Sequence, residues 1–361
     1  MSEDYTDILI IGGGVAGITA AADLAPHGSV RVLERERQLA YHASGRSAAM
    51  FLLDYGNDVV RALNEASAEA LSHRDGGVLS PRPMMLLGRA EEADAFATEA
   101  AAFGVERIGL DEAATLFPLL DQSVVTDAAA RHDASDLDTD LMIQNALRRA
   151  RGAGAIIETG AEVTAIRHDG LWQVNVGAQV YRAATLVNAA GAWADTIAVM
   201  AGIAPLGIQP YRRSMAVLPL PAGMDGAGWA FVDAVGERWY AKPQAGKLLV
   251  SPSEEHALEP MDAWADDMVL AEGLARFEEM VNIEVTRVEH SWAGLRSFAP
   301  DRALVVGRDA AVPEFVWVAA QGGYGFQTAL AVSRLVADLV AGKAPELSEN
   351  VVAALSPARF G

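Results

Sequence analysis

The chain has 361 residues, 51% of them hydrophobic, which is enough to bury a large core in two lobes. Its 28 basic and 48 acidic residues give a net charge of −20, which argues against nucleic acid as a partner. The sequence contains no cysteine, so disulfides and thiolate metal sites are excluded, and we expect a cytoplasmic location. No apolar run approaches the roughly 18 residues of a membrane span, and the stretch at 8–11 is too short for a signal peptide.

The first predicted elements are a strand at 7–11, a helix-forming stretch at 18–25 and a strand at 30–33 that ends on Glu34. A G-x-G-x-x-G motif, Gly12 to Gly17, joins the first strand to the helix. This βαβ start, with an acid about twenty residues past the glycines, predicts dinucleotide binding.

Each part of this motif has a physical role. Gly12 permits the tight turn, Gly14 lets the backbone approach a pyrophosphate, and Gly17 lets helix and strand pack closely. The N–H groups at the start of the helix face the phosphates, and Glu34 can accept hydrogen bonds from ribose hydroxyls. The motif alone leaves NAD and FAD open.

Later segments extend the same architecture. Strands are predicted at 155–157, 162–166, 171–176, 185–189 and 315–319, and helices follow the last two, ending at Met200 and Ala341. We therefore predict a Rossmann-type α/β lobe assembled from the discontinuous segments 1–55, 135–210 and 290–361. The inserts 56–134 and 211–289, with a long helix near 263–280, predict an α+β substrate lobe with an antiparallel sheet. The active site is expected at the seam of the two lobes.

Three further glycine-rich turns follow strands or lie between elements. They are Ser44 to Ala49, Asn188 to Trp193, and Gln321 to Gly325. A nicotinamide enzyme needs one such site, whereas a long flavin cofactor needs contacts from several parts of the chain. The four turns together favour FAD.

At this point the sequence resembles a known family. Tyr41-His42, the turn from Gly45 to Ala49, Leu79 to Pro83, Gln209 to Ser214, Trp292 to Phe298 and Trp317 to Gly325 carry the resemblance. They are similar to the D-amino-acid oxidase superfamily of flavin-dependent oxidoreductases, and most like the bacterial D-arginine dehydrogenases. The resemblance implies noncovalent FAD and oxidation of the Cα–N bond of an amino acid. The residues expected to bind FAD are Gly12, Gly14, Val15, Ala16, Gly17, Glu34, Arg35, Ser44, Gly45, Arg46, Ser47, Ala48, Ala49, Val163, Ala190, Gly191, Trp193, Arg296, Gly322, Gly323, Tyr324, Gly325 and Gln327.

The resemblance also implies the substrate contacts. Planar guanidinium groups bind carboxylates at two points, and Arg213 and Arg296 match the carboxylate-binding arginines of the similar dehydrogenases. Tyr240 matches a hydroxyl donor to the same carboxylate, and Tyr55 matches a tyrosine on a mobile lid loop. Gly323 matches a backbone carbonyl that meets the substrate amine. The sequence leaves open whether Arg212 points inward instead of Arg213.

Hydride transfer to a cofactor demands no side-chain acid or base. His42 is therefore interpreted as structural, because the similar dehydrogenases have a histidine here beside a noncovalent flavin. The remaining six histidines show no paired spacing, so no metal site is expected.

Two departures from the D-arginine enzymes bear on the substrate. Met84 stands where those enzymes place an acid for the guanidinium, and Met50 stands where a histidine is expected. A guanidinium buried against methionine would lose its charge partner, so we predict a neutral or hydrophobic D-amino acid and poor use of D-arginine or D-lysine. The alternative is that both methionines are core residues and another acid, such as Asp54, faces the pocket.

Other functions remain open on the sequence. A glycine- or sarcosine-type amine oxidase would use the same residue types, and the chain could also be the flavin-carrying subunit of a larger complex. A nicotinamide enzyme would be colourless when purified. The electron acceptor (oxygen, a quinone or a carrier protein), the oligomeric state and the substrate chirality are not specified by the residues.

Overall fold

Two large β-sheets dominate the structure, a computed structural model that describes residues 3–361, with side-chain surroundings from residue 5 onward. The helices are α1 Val15–Leu24, α2 Asp58–His73, α3 Ala93–Phe103, α4 Leu110–Leu116, α5 Thr139–Gly152, α6 Ala194–Met200, α7 Asp267–Glu278, α8 Gly325–Ala341 and α9 Glu349–Leu355. The first strands are β1 Glu3–Ile11, β2 Val30–Glu34, β3 Met50–Phe51, β4 Leu79–Pro81, β5 Met84–Arg89, β6 Glu106–Ile108, β7 Val125–Arg131, β8 Ser135–Leu137, β9 Ile156–Thr159 and β10 Ala165–Asp169. The remaining strands are β11 Leu171–Val176, β12 Gln179–Asn188, β13 Gln209–Pro219, β14 Phe231–Ala234, β15 Tyr240–Gln244, β16 Lys247–Ser251, β17 His256–Ala257, β18 His290–Phe298, β19 Val305–Arg308 and β20 Phe315–Ala319.

The first sheet is the predicted dinucleotide-binding sheet. Its strand order is β10-β11-β12-β1-β2-β9, with β20 paired to β12 and β19 paired to β20. β1, β2, β9, β12 and β20 run parallel to their neighbours within this group. All five residues of β2 are buried, as expected for a parallel strand covered on both faces. The Rossmann-type α/β architecture is confirmed.

Helix α1 follows β1 after only three residues because Gly14 takes the extended N-cap position. The helix has four alanines and one glycine among its ten residues, and all but one of its residues are buried. Small side chains let it pack closely on the sheet, on α5 and on α8 in one apolar core. This packing fixes the start of α1 at the carboxyl end of β1, where nucleotides bind in such sheets.

The second sheet has nine strands in the order β17-β13-β16-β15-β14-β5-β7-β6, with β18 paired to β13. Every pair is antiparallel except β14 with β5. Helix α7 packs against this sheet in a separate apolar core. The predicted antiparallel sheet of the second lobe is confirmed. β18 lies in the segment 290–361 that the sequence assigned to the first lobe, yet it pairs with β13 along its length.

A small third sheet has the strand order β3-β8-β4. It matters for the site because β3 carries Met50 and follows directly on the loop 44–49. Within residues 3–361 no helix combines the length and the apolar character needed to span a bilayer.

Candidate active site

A single large cavity brings the two lobes' predicted site residues together. Its volume is about 420 Å³. One side is formed by loops that follow β1, β2, β12 and β20, and the other by residues of β13, β14, β15 and β18. The carboxyl ends of parallel strands therefore meet the antiparallel sheet, which is the seam expected from the sequence.

The first glycine turn lines the cavity at the start of α1. Gly12 has φ +110°, and a Cβ there would lie 2.3 Å from the carbonyl oxygen of Ala189. A Cβ on Gly17 would lie 1.9 Å from the carbonyl oxygen of Gly12. Only glycine fits either position, so the turn and the close packing of the helix both depend on these residues.

Glu34 ends β2 beside this turn. Its Oε2 accepts a hydrogen bond from the Gly13 N–H at 2.6 Å, and its Oε1 accepts one from the Glu36 N–H at 2.8 Å. The carboxylate is thereby fixed and buried at the edge of the cavity. Next to it, the Arg35 guanidinium lies over the Trp193 ring, 4.1 Å from the ring centroid. These groups form a polar and aromatic end of the cavity.

The segment 44–49 closes a second side. Ser44 Oγ accepts the Val15 N–H at 3.0 Å, so this segment contacts the beginning of α1 directly. Arg46 donates to the carbonyl oxygens of Ala263 and Ala293 at 2.9 and 2.8 Å, which ties the segment to the second lobe. Ser44, Arg46, Ser47, Ala48 and Ala49 all line the cavity.

The turn before α8 contributes unpartnered polar groups. Gly322 has φ +54°, and a Cβ there would lie 2.5 Å from the ring of Phe298. The side-chain nitrogens of Gln321 and Gln327 are buried and find no hydrogen-bond partner among the described residues, although both residues line the cavity. Buried amides without partners are costly, so this end of the cavity is suited to a polar ligand.

Most of the residues predicted to bind FAD line this cavity. They are Gly12, Gly14, Val15, Ala16, Glu34, Arg35, Ser44, Arg46, Ser47, Ala48, Ala49, Val163, Ala190, Gly191, Trp193, Arg296, Gly322, Gly323, Gly325 and Gln327. Gly17, Gly45 and Tyr324 are not among its lining residues. A Cβ on Gly45 would lie 2.4 Å from the Ala40 carbonyl oxygen, so Gly45, like Gly17, serves a tight backbone approach. Tyr324 is the N-cap residue of α8 and packs on Tyr55 and Phe298.

The two arginines meet through the pairing of β13 with β18. Arg296 lies opposite Tyr211, and Arg213 lies two residues further along β13. Residues in such a diagonal relation share one face of the sheet, so both guanidinium groups reach the cavity. Arg212 is opposite Leu295 on the alternate face and contacts Glu254 and Asp266, each at 3.6 Å. Arg213, and not Arg212, is the inward residue.

Positive charge is concentrated at this point. Burial lowers the pKa of Arg213 below its usual value, and the neighbouring Arg296 lowers it further. Glu255 and Glu237 lie 3.5 and 3.8 Å from Arg213 Nη2. No described carboxylate lies within 4.0 Å of the Arg296 guanidinium. Among the described residues Arg296 thus has no carboxylate partner, although Arg213 has two, and an anionic ligand suits the pair of guanidinium groups.

Two tyrosines flank the arginines. Tyr240 is buried, lines the cavity and stacks on Phe231 with ring centroids 5.4 Å apart. Tyr55 also lines the cavity, and burial raises its pKa to about 12, so its hydroxyl keeps its proton near neutral pH. The loop that carries Tyr55 was expected to be a mobile lid. In the structure the Asn64 side chain donates to the carbonyl oxygens of Leu52, Leu53 and Tyr55 and ties this loop to α2.

His42 lies at the cofactor side of the cavity, away from the arginine pair in the fold. Its Nε2 is 2.9 Å from Glu36 Oε1, and its ring packs 4.7 Å from the Trp193 ring. Burial lowers the pKa of His42, while Glu36 opposes that change. These contacts support the structural interpretation of His42. Among the described residues no group of three potential ligands could hold a metal ion.

Met84 and Met50 form an apolar wall with Leu52, Tyr55, Phe103 and Phe231. Both methionines line the cavity, and their contact with a substrate side chain stays a prediction. Asp54, the acid considered as an alternative, is absent from the lining and accepts a hydrogen bond from Arg131 at 2.6 Å.

Two acids on the substrate side of this cavity were not predicted from the sequence. Asp233 and Glu237 both line it, next to the apolar wall and the arginines. The expectation of poor activity on D-arginine and D-lysine assumed that no acid faced the pocket, and that assumption is wrong. An aspartate between apolar residues of a β-strand, as in Phe231 to Ala234, is an unusual choice, and this was the available signal.

Comparison with known proteins decides the family. The family described as DAO, FAD dependent oxidoreductase, matches residues 7–339. The chain belongs to this family. The expectation of FAD is therefore confirmed. The finer resemblance to D-arginine dehydrogenases stays a prediction.

Curated relatives and solved structures agree with this assignment. Human mitochondrial dimethylglycine dehydrogenase is 24% identical over 99% of this chain and 45% of its own length. The chain thus spans less than half the length of that relative. L-proline dehydrogenase from P. horikoshii has the same fold, with a TM-score of 0.83 and 24% identity over 99% of this chain and 98% of its own. Glycine oxidase from Geobacillus kaustophilus matches with a TM-score of 0.82 and 22% identity over 99% of both chains.

The residues of the cavity fit FAD. The Gly12–Gly14 turn at the start of α1 suits a pyrophosphate, and Glu34 suits ribose hydroxyls. The unpartnered amides of Gln321 and Gln327 suit the polar edge of a flavin ring. When bound, FAD supplies a two-electron acceptor that takes hydride from a substrate.

Proposed function

We propose that this protein oxidises the Cα–N bond of an amino acid whose carboxylate is held by Arg213 and Arg296. Hydride leaves Cα, the amine gives a proton to water, and the resulting imino acid is hydrolysed to a 2-oxo acid and ammonia. The observation that carries the proposal is the pair of inward arginines on one face of β13 and β18. They provide a charged, two-point anchor for a carboxylate in the cavity that holds the FAD-binding residues.

The chain's own residues supply orientation. Arg213 and Arg296 fix the carboxylate, the Tyr240 hydroxyl donates to it, and the Gly323 carbonyl accepts from the substrate amine. Tyr55 stays protonated and closes the cavity together with Phe103, with ring centroids 6.1 Å apart. A fixed carboxylate sets the direction of the Cα–H bond, to which hydride transfer is sensitive.

For the substrate we propose a D-amino acid whose side chain lies along an apolar wall. The wall of Met50, Met84, Phe103 and Phe231 supports this proposal because these side chains offer apolar, adaptable contacts. The proposal keeps FAD noncovalent, since the chain has no cysteine and His42 is engaged with Glu36 and Trp193.

A second candidate is oxidation of a glycine-type secondary or tertiary amine. The similarity of 99% of this chain to part of a dimethylglycine dehydrogenase and to a whole glycine oxidase favours it. Such substrates carry the same carboxylate and would leave the apolar wall uncontacted. The carboxylate anchor is therefore common to both candidates.

The experiment is anaerobic mixing of the yellow, FAD-loaded protein with a panel of amino acids in both enantiomers, with sarcosine and dimethylglycine included. Bleaching of the flavin absorbance by D-alanine, D-valine or D-methionine supports the first candidate. Bleaching only by the N-methylated glycines supports the second. A lack of bleaching by any member of the panel contradicts both.

A further inference from the structure

Asp233 stands out among the groups that the proposed function does not use. It lies on β14, opposite Tyr240 of β15, and two residues after Phe231, which lies opposite Met84 of β5. This pairing puts its carboxyl between the tyrosine that flanks the arginines and the apolar wall. Asp233 lines the cavity, so its side chain belongs to the place where a substrate side chain would lie.

The carboxyl of Asp233 lacks the contacts that normally accompany a buried acid. Its Oδ1 is buried and has no hydrogen-bond partner among the described residues. Neither arginine of the anchor lies within the 4.0 Å that defines an ion pair with it. Since an unsatisfied buried acceptor is costly, its presence in the cavity points to a partner supplied by the ligand.

The surrounding charges set the ionisation of this group. Burial raises the pKa of Asp233 to about 7, and the acids Glu237 and Glu99 raise it, while Arg213 and Arg296 lower it. Tyr240 lies directly opposite Asp233 on β15 and adds a hydroxyl group to the surroundings of this carboxyl. The Asp233 carboxyl is therefore neutral in mildly acidic solution and ionised in alkaline solution.

Two purely structural roles fit Asp233 poorly. A counter-ion for Arg213 is already provided by Glu255 and Glu237, at 3.5 and 3.8 Å. A role in folding would call for polar contacts within the protein, as Asp136 has in a hydrogen bond from Arg82 and an ion pair with Lys242. Asp233 shows neither arrangement.

We propose that Asp233 is a specificity-determining residue that accepts a hydrogen bond from a donor on the substrate side chain. It selects amino acids with a side-chain hydroxyl, amide or ammonium group over apolar amino acids of the same shape. This inference rests on the proposed function, because it assumes that an amino acid is oxidised in this cavity. It refines the proposed substrate class, because an apolar wall alone would favour an apolar amino acid over one with a side-chain donor.

The test compares paired substrates, one with a side-chain donor and one without it, in the FAD-loaded enzyme. Valine and threonine form one pair, and norleucine and lysine form the other, each in the enantiomer that reduces the flavin. The measured quantity is the ratio of kcat/KM for the donor-bearing member to that of the apolar member. We expect ratios above one for the wild type and a fall of about tenfold or more in Asp233→Leu, because the donor then faces an apolar side chain.

Asp233→Asn separates hydrogen bonding from charge. It keeps an acceptor oxygen, so the threonine-to-valine ratio should survive, whereas the lysine-to-norleucine ratio should fall. In the wild type the lysine-to-norleucine ratio should rise with pH as Asp233 ionises, and in Asp233→Asn it should not. Asp127→Asn, on β7 of the same sheet and outside the cavity, is the matched control.

Ratios that are unchanged in Asp233→Leu would overturn the proposal, as would a wild type that prefers the apolar members or accepts only glycine derivatives. FAD loading of every variant, read from the flavin absorbance, shows that the cavity is formed. If no amino acid reduces the wild-type flavin, the proposed function itself fails. If amino acids reduce it and the ratios do not respond to Asp233, only the inference about Asp233 fails.

Discussion

Lys242 and Asp136 join the two lobes next to the cavity. The Lys242 Nζ lies 2.8 Å from Asp136 Oδ1 and donates to the Ala48 carbonyl oxygen at 2.6 Å. Lys242 belongs to β15 of the nine-stranded sheet, Asp136 to β8 of the small sheet, and Ala48 to the segment that lines the cavity. The buried ammonium group of Lys242 therefore holds the segment 44–49 against the second sheet.

Replacing this lysine should loosen the cofactor site. Burial lowers the pKa of Lys242, and Asp136 opposes that change, so the pair is interdependent. Lys242→Met should reduce the free energy of unfolding by about 2 kcal/mol. This loss is smaller than that expected for a buried carboxylate left without any partner, because Arg82 still contacts Asp136. Thermal unfolding and titration with FAD measure the effect. Lys247→Met, which removes an exposed partner of Glu289, is the control and should have little effect; equal behaviour of the two variants would contradict this role.

The carboxylate anchor can be tested with altered substrates as well as with variants. Arg296→Lys should lower kcat/KM for amino acids by about 100-fold, because a lysine cannot bind a carboxylate at two points and the Cα–H bond loses its direction. The same variant should oxidise a matched amine without a carboxylate no worse than the wild type does. Arg212→Lys is the control, since Arg212 faces away from the cavity. A larger loss in Arg212→Lys than in Arg213→Lys would show that the inward arginine is misassigned.

Glu34 should contribute to FAD affinity. Its carboxylate is already held by the N–H groups of Gly13 and Glu36, so it is preorganised for a ribose. Glu34→Gln should raise the Kd for FAD about tenfold, because charge-assisted hydrogen bonds become neutral ones. Quenching of flavin fluorescence on binding measures this constant. Glu346→Gln, at an exposed site, should bind FAD like the wild type, and an unaltered Kd in Glu34→Gln would argue against the ribose role.

The buried carboxyl of Asp233 should be visible in the pH dependence of stability. Burial, followed by Glu237 and Glu99, raises its pKa from 3.8 to about 7, so the folded protein binds this proton more tightly than the unfolded chain does. The contribution of Asp233 to the free energy of unfolding is therefore lost as the pH rises from 3.8 to about 7. Asp233→Asn removes the titration, so its Tm relative to the wild type should increase by roughly 3 °C or more between about pH 5 and pH 8. A Tm difference that is constant with pH would show that the pKa is not raised.

The sequence predicted the elements with strong local signals. β20 occurs at Phe315–Ala319 as predicted, and α8 begins two residues before the predicted Gln327 and ends at Ala341. α1 begins at Val15, three residues earlier than predicted, because Gly17 was treated as part of the turn. β12 was predicted only at 185–189, since its first half, from Gln179, is stabilised by pairing with β11 and β1 and is less apolar.

The site was predictable where residue type and motif coincide. The glycine turns and the two arginines stand in recognisable contexts, and the β13–β18 register then brings Arg213 and Arg296 to one face. Asp233, Lys242 and Gln321 could not be assigned this way, because their environments depend on strands that are distant in sequence. Local sequence does not reveal that a carboxyl or amide in a strand or loop will lack a partner once the lobes meet.

We propose that this member of the FAD dependent oxidoreductase family oxidises amino acids through the carboxylate anchor of Arg213 and Arg296. Anaerobic flavin reduction by paired compounds, an amino acid and the amine that lacks only its carboxylate, tests it most directly. We expect fast bleaching by the amino acid, slow bleaching by the amine, and loss of that difference in Arg296→Lys. Equal rates for both compounds, or bleaching by glycerol 3-phosphate and by no amino acid, would contradict it.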